Sequence, residues 1–222
     1  MIELDQRLLL LLNGSGNPFW DQMMWTVTAT ATWLPMAALL LYLIAHNNTW
    51  RRTLIVLLGV ALVILLADRI SSGVFKPMFH RWRPSHEPAL EGLVHLVNGY
   101  GGGRYGFISS HAANTFGLTT FIALLTRSRL MLLTMTIWAC LSSYSRIYLG
   151  VHYPGDILAG ALFGVLVGVC CSYIYKAAER RWTSAEASTI YSTRDIRLFA
   201  AGFAATICIV TAIAGINSTL IH

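Results

Sequence analysis

Six long apolar stretches limit the possible folds of this 222-residue chain more than any other feature. They cover residues 23–45, 53–75, 111–125, 130–145, 156–175 and 198–216. Only 12% of the residues are charged, against about 25% in soluble domains. A helix of about 20 apolar residues spans the hydrocarbon core of a bilayer and satisfies its own backbone hydrogen bonds there. The sequence therefore predicts an all-α, polytopic membrane helical bundle of about six transmembrane helices, in one domain covering residues 1–222.

Residues 1–21 precede the first apolar stretch and contain a run of leucines, Leu8 to Leu12. This run is too short to cross a membrane, and the segment lacks the basic start and the cleavage site of a signal peptide. Trp20 and Trp25 are amphipathic aromatic residues of the kind that lie at headgroup depth. These features predict an N-terminal interfacial helix.

The formal net charge is +6, but Lys and Arg are scattered through the connections rather than gathered on one soluble face. Nucleic acid is therefore not a predicted partner, whereas the lipid bilayer is a predicted partner.

The four cysteines lie in apolar stretches and are predicted to be small buried hydrophobes. The spacing of His80, His86 and His95 matches no metal site, so no metal and no cofactor is predicted. Nothing in the sequence indicates an oligomeric state.

The distribution of basic residues predicts the orientation in the membrane. Nine of the 16 Lys and Arg residues lie in the connections after the first, third and fifth apolar stretches. In a six-helix topology these connections share one side, which the positive-inside rule makes cytoplasmic. The opposite side would then face the periplasm or the exterior of a bacterial inner membrane.

Three stretches on that opposite side carry residues that apolar segments normally avoid. They are Lys76 to Pro84, Ser109-Ser110-His111, and Ser145 to Asp156. Charged groups at membrane depth are energetically costly and are usually functional. Because each stretch adjoins an apolar segment on the same side, we expect the three to converge at one rim of the bilayer.

The cations of these stretches suit the binding of a phosphate. Charge spreads over three oxygens in the transition state of phosphoryl transfer, and preorganised donors stabilise it. Arg83 and Arg146 offer planar bidentate forks, and Lys76 offers a point charge. Ser109 adds a hydroxyl donor, and the backbone N–H of Ser110 would point along a helix dipole.

The two histidines suit nucleophilic and acid–base roles. A neutral imidazole is a competent nucleophile, and a carboxylate on its second nitrogen fixes the tautomer. His152 and Asp156, four residues apart, fit that pairing if the turn through Pro154-Gly155 returns the carboxylate to the ring. His111 is left as the acid for the leaving oxygen and later as the base for water.

These motifs resemble the three-part signature of the type 2 phosphatidic acid phosphatase superfamily. The signature is Lys-x6-Arg-Pro, Pro-Ser-Gly-His and Ser-Arg-x5-His-x3-Asp. The sequence has Lys76-x6-Arg83-Pro84, then Ser109-Ser110-His111, then Ser145-Arg146-x5-His152-x3-Asp156, so the motif core covers residues 76–156. Ile108 replaces the Pro of the signature, and Ser110 replaces the Gly.

The resemblance implies metal-independent hydrolysis of a lipid phosphate or diphosphate through a phosphohistidine intermediate at the extracytoplasmic face. The implied substrates are undecaprenyl diphosphate, a phosphatidyl phosphate or a lipid A phosphate. His152 would be the nucleophile, Asp156 its partner and His111 the acid. The implied phosphate ligands are Lys76, Arg83, Ser109, Ser110 and Arg146.

Two other functions fit part of this pattern. Vanadium haloperoxidases have similar motifs, but they are soluble enzymes, and the six apolar stretches argue against that chemistry. A transporter or scaffold, without enzymatic activity, would use the same cations to bind an anionic lipid and is the remaining alternative.

Overall fold

The computed structural model describes residues 2–14, 16–182 and 190–220. Within them the chain is helical, and it contains one isolated β-bridge, between Trp82 and Tyr105, instead of strands. The helices are α1 (Ile2–Leu12), α2 (Pro18–Thr28), α3 (Leu34–Asn47), α4 (Trp50–Ile70), α5 (Lys76–Phe79), α6 (Ser110–Thr126), α7 (Arg129–Tyr148), α8 (Pro154–Trp182) and α9 (Thr193–Leu220). A π-helical turn, Ser71–Phe75, joins α4 to α5.

The first apolar stretch, residues 23–45, does not form one continuous helix. The stretch divides into α2 and a second part, Thr30–Asn47, bent by 70°. At the bend, the Thr32 hydroxyl donates to the Thr26 carbonyl over 2.5 Å, and the Trp33 indole donates to the Val27 carbonyl over 2.8 Å. Pro35 therefore lies in the first turn of α3, where its missing N–H needs no partner.

The described residues confirm a helical membrane fold. Four helical stretches are long and apolar enough to cross a bilayer: Trp50–Phe79, Arg129–Tyr148, Pro154–Trp182 and Thr193–Thr219. The bent pair formed by α2 and Thr30–Asn47 makes a fifth if it is counted as one span. Helix α6 has 17 residues, a length of about 25 Å. The count of six spans therefore stays a prediction.

Close packing of α6 on α8 sets the geometry of the bundle. Gly160, Gly164 and Gly168 of α8 repeat every fourth residue and press against the backbone of α6. A Cβ atom on Gly160 or Gly168 would come 2.5 Å from a carbonyl oxygen of α6, and one on Gly164 would overlap the Ala113 carbonyl. Small residues at this spacing allow two membrane helices to approach closely. This glycine contact places the start of α6 against the N-terminal part of α8.

The two ends of the bundle differ in charge. At one end, the Arg52 side chain of α4 pairs with Glu179 of α8 over 3.1 Å. Arg127 and Lys176 line a cavity beside that pair. Lys76, Arg146 and His152 lie at the opposite ends of the same helices. The basic connections and the motif residues are therefore on opposite sides of the bundle.

Helix α1 packs over the start of α8. Leu9 is fully buried against Tyr153 and Ile157, whereas Leu4 and Leu11 are exposed. The Asn13 side chain then donates to the Tyr148 carbonyl over 2.7 Å and accepts from the His95 N–H over 2.7 Å. One face of α1 thus belongs to the protein core, while its interfacial placement stays a prediction.

We predict that Gly164→Ala lowers the free energy of unfolding by about 1–3 kcal/mol, the usual effect of overpacking a tight contact. The added methyl group would overlap the Ala113 carbonyl, which the helical backbone holds in place. Thermal unfolding of the purified protein in detergent measures this change. The matched control is Gly215→Ala on α9, where a Cβ meets nothing within 4 Å. Equal melting temperatures for the two variants would contradict the packing argument.

Candidate active site

The three motif stretches meet at one end of the bundle. Lys76 begins α5, Arg83 follows it in the loop, and Ser109 is the residue that caps α6. Arg146 lies in the last turn of α7, and Asp156 lies in the first turn of α8. The long connection between α5 and α6 folds back over this end through short 3₁₀ turns.

Arg83 is buried and is held entirely by backbone. Its Nε donates to the Tyr105 carbonyl over 3.2 Å, and its Nη1 donates to the Val151 carbonyl over 3.3 Å. Gly102 has a φ of +67°, and a Cβ there would lie 2.8 Å from Nη1 of Arg83, so bare backbone covers the guanidinium. Burial and the nearby Arg146 cation lower the pKa of Arg83.

Arg146 is only 5% exposed and also has neutral partners. Its Nη1 donates to the Thr28 hydroxyl over 2.7 Å, and its Nη2 donates to the Tyr100 hydroxyl over 3.5 Å. The second bond holds the pKa of Tyr100 below its usual value. Nε of Arg146 is buried and has no hydrogen-bond partner among the described residues. A buried guanidinium N–H without an acceptor is a site for an incoming anion.

Lys76, Arg83 and Arg146 make up the cationic cluster of the site, and Lys76 contacts the start of α6. Lys76 Nζ donates to the Ser110 hydroxyl over 3.0 Å, and the Ser72 hydroxyl lies 3.0 Å from the same oxygen. The Ser109 side chain accepts the Ala112 N–H over 3.4 Å. An accepting hydroxyl keeps its own proton to donate, so Ser109 can cap the helix and still contact a phosphate.

His152 lies in the turn between α7 and α8 and is 2% exposed. Its Nδ1 lies 3.3 Å from Oδ2 of the fully buried Asp156. Burial lowers the pKa of His152 well below its usual value, and the charges of Arg83, Arg146, Lys76 and His111 lower it further. The imidazole is therefore neutral at neutral pH. With Nδ1–H directed at the carboxylate, the lone pair is on Nε2.

His111 is in the first turn of α6 and faces the bend between α2 and α3. It shares the wall of one cavity with Thr28, the residue whose hydroxyl accepts from Arg146. This cavity has a volume of about 240 Å³ and is also lined by Trp33 and Trp138. The structure thus brings the two predicted histidines, Asp156 and the three cations together at one end of the bundle. The charges of the three cations act on both histidines.

Several residues of this site were not predicted from the sequence. Arg81 donates to Asp156 and to Asp5, and Thr28 accepts from Arg146 and lines a cavity with His111. Gly106 presses its backbone against Asp156 and His152: a Cβ there would lie 3.0 Å from Oδ2 of Asp156 and 3.6 Å from Nδ1 of His152. The glycine-rich character of the loop was visible in the sequence, but its contact with the site was not.

The chain matches the PAP2 superfamily model over residues 53–180, more than half of its length. The chain belongs to the PAP2 superfamily. The resemblance to type 2 phosphatidic acid phosphatases is therefore confirmed, and the match covers all three motif stretches.

Two curated relatives are lipid A 4'-phosphatases. The one from Bacteroides thetaiotaomicron is 43% identical over 73% of this chain and 72% of its own length. The one from Porphyromonas gingivalis is 37% identical over 90% of this chain and 86% of its own length. With the apolar helices, these matches support an integral membrane lipid phosphatase.

Two crystal structures share the fold. Aquifex aeolicus LpxE superposes with a TM-score of 0.55 at 23% identity, covering 76% of this chain and 94% of that one. The PAP2 type phosphatidylglycerolphosphate phosphatase of Bacillus subtilis gives a TM-score of 0.54 at 22% identity, covering 83% of this chain and 87% of that one. The helical arrangement is thus that of a transmembrane PAP2 protein.

We predict that Gly106→Ala lowers kcat by about 100-fold, because small displacements of reacting groups have effects of that size. The new methyl group would lie 3.2 Å from Cγ of Arg83 as well as against Asp156 and His152. Phosphate release from a lipid phosphate measures the loss. Gly103→Ala is the matched control in the same loop, because a Cβ there meets nothing within 4 Å. An active Gly106→Ala enzyme would contradict this placement of the loop.

Proposed function

We propose that this protein removes the 4'-phosphate of lipid A through a phosphohistidine intermediate on His152, without a metal ion. The observation that carries the proposal is the buried imidazole of His152, which lies 3.3 Å from the Asp156 carboxylate and is exposed to the charges of Lys76, Arg83 and Arg146. The names of the two curated relatives support the choice of lipid A among the lipid phosphates.

The first step is attack by Nε2 of His152 on phosphorus. The negative charge of the bound phosphate favours the protonated form of His111. A nitrogen–phosphorus bond forms as the bond between phosphorus and the sugar oxygen breaks, and the protonated His111 gives its proton to that oxygen. The imidazole becomes positively charged, and Asp156 stabilises it through Nδ1–H. The carboxylate keeps the ring in the reactive tautomer throughout.

The second step releases the phosphoryl group. His111, now neutral, takes a proton from water, and the resulting hydroxide attacks phosphorus. The nitrogen–phosphorus bond breaks, inorganic phosphate leaves, and His152 returns to its starting state. Lys76, Arg83 and Arg146 stabilise the charge on the equatorial oxygens in both steps, together with the hydroxyl of Ser109 and the backbone N–H of Ser110.

An apolar cavity beside the site supports a lipid substrate. It has a volume of about 610 Å³ and opens between α1, α5 and the start of α8. Its walls include Leu4, Phe79, Phe107 and Leu158, and Arg81 lies at its edge. A lipid bound at this rim keeps an acyl chain in apolar surroundings while its phosphate reaches the cations.

The proposed topology has six spans: the bent pair of α2 and α3, then α4 with α5, α6, α7, α8 and α9. The basic connections then lie in the cytoplasm, and the site opens to the periplasm of the inner membrane. We treat residues 1–222 as one phosphatase domain, because the motif stretches and α1 share a single core at the site.

We predict that His152→Ala abolishes phosphate release, because no other group in the site takes the place of the nucleophile. Quenching of wild type in alkaline SDS during turnover with ³²P-labelled lipid A should leave label on the protein, since the phosphohistidine intermediate is stable to alkali; acid treatment should then release the label. His111→Ala should lower kcat by about 100- to 10,000-fold, the usual contribution of an acid–base group.

His86→Ala serves as the control, because His86 is a loop histidine that contacts Ser85. Activity that survives His152→Ala would refute the nucleophile, and activity abolished by EDTA would refute the metal-free reaction.

We predict that lipid A 4'-phosphate is hydrolysed with a kcat/KM at least about tenfold above that for phosphatidic acid or undecaprenyl diphosphate. A panel of purified lipids in matched detergent micelles measures the ratio, and mass spectrometry of the product identifies the phosphate removed. Preference for undecaprenyl diphosphate, or removal of the 1-phosphate, would contradict the substrate assignment.

A further inference from the structure

The side chain of Arg81 joins two carboxylates that lie far apart in the sequence. Its Nη1 donates to Oδ1 of Asp156 over 2.8 Å, and its Nη2 donates to Oδ2 of Asp5 over 2.6 Å. Asp5 belongs to α1, outside the three motif stretches. Its second oxygen, Oδ1, accepts the backbone N–H of Gly155 over 2.8 Å.

These contacts fix Asp156 from both of its oxygens. Oδ1 accepts from Arg81, whereas Oδ2 accepts the Tyr153 N–H over 3.1 Å and lies beside His152. The Arg81 guanidinium also lies 4.2 Å above the ring of Tyr153, an arrangement that holds it in one plane. The side chain of Asp156 is 0% exposed, and those of Asp5 and Arg81 are 13% and 23% exposed. The chain of ion pairs is therefore shielded from solvent screening.

We infer that Arg81 and Asp5 are positioning residues of the active site, holding the Asp156 carboxylate in the orientation that directs His152 at the phosphate. This inference rests on the proposed function of His152. It also gives α1 a role in the reaction, since α1 supplies the far end of the chain. Neither residue contacts the reacting atoms; each acts through Asp156.

Arg81 also balances charge. Without it, the buried Asp156 carboxylate beside His152 would lose the guanidinium that is paired with it. The groups that face His152 are Asp156, Arg83, Arg146, Lys76 and His111. Of these, Asp156 is the one that is hydrogen-bonded to Arg81, so replacing Arg81 or Asp5 acts on His152 through this carboxylate. A change in the pH profile among these variants therefore reports the effect of the Arg81–Asp5 pair on the Asp156–His152 pair.

The test is the pH profile of kcat/KM for lipid A hydrolysis by the full-length protein in detergent. We expect Arg81→Ala to lower kcat by about 10- to 100-fold, with KM within about twofold of wild type. His152 must be neutral to attack, and removing a cation favours its protonated form. The acidic limb of the kcat/KM profile, where activity falls as the pH is lowered, should therefore move to higher pH by roughly one pH unit.

Two further variants separate positioning from folding. Arg81→Lys keeps the charge but loses the two-ended fork, so the limb should return to the wild-type position with partial recovery of kcat. Asp5→Asn removes an anion, so the limb should move to lower pH, opposite to Arg81→Ala. The matched controls are Arg104→Ala, an exposed loop arginine, and Glu3→Gln, in the same turn of α1 as Asp5.

A limb that stays at the wild-type pH in both Arg81→Ala and Asp5→Asn would overturn the inference, as would a rise in KM as the main effect. Thermal unfolding of each variant identifies losses caused by misfolding, and Arg81→Lys keeps the test decisive if Arg81→Ala does not fold. The proposed function fails separately: an active His152→Ala enzyme refutes it whatever the Arg81 variants do.

Discussion

The site depends on one buried carboxylate, Asp156. Its backbone carbonyl accepts the N–H of Ser109 over 3.1 Å, which ties the start of α6 to the start of α8. Its side chain connects the segment after α5, through Arg81, to the turn that carries His152. An ionised carboxylate without solvent is strongly destabilising unless it is paired and hydrogen-bonded. The three motif stretches supply those partners, so the residues that would perform the chemistry also hold this end of the bundle together.

Apolar stretches predicted most of the helices because a bilayer leaves a spanning segment few other structures. They did not predict the 70° bend between α2 and α3. Both sides of that bend are apolar, and the turn is fixed by side-chain donors, Thr32 and Trp33, that reach carbonyls six residues earlier. The bend places Thr28 against Arg146 and His111, so a local hydrogen-bond choice shapes the site.

The spacing of the motifs led to every predicted site residue, because phosphate chemistry restricts which side chains are useful and where. Asp5 and Arg81 were missed for a physical reason. Asp5 lies in a short apolar helix whose pattern indicates an interface anchor, and its partners are 76 and 150 positions away. Ser110 stands where the signature has Gly. Its hydroxyl accepts from Lys76, so the substitution adds a polar contact inside the cationic cluster.

The two kinds of arginine in the site differ in their partners, and this difference separates their roles. Arg81 pairs with two carboxylates, which leave it little charge to offer a ligand. In the described part of the chain, Arg83 and Arg146 donate only to carbonyls and hydroxyls. Neutral acceptors orient a guanidinium without cancelling its charge. Their mutual repulsion inside the protein would be relieved by an anion bound between them, so the buried cations favour a phosphate, while the ion pairs around Arg81 hold the Asp156 carboxylate beside His152.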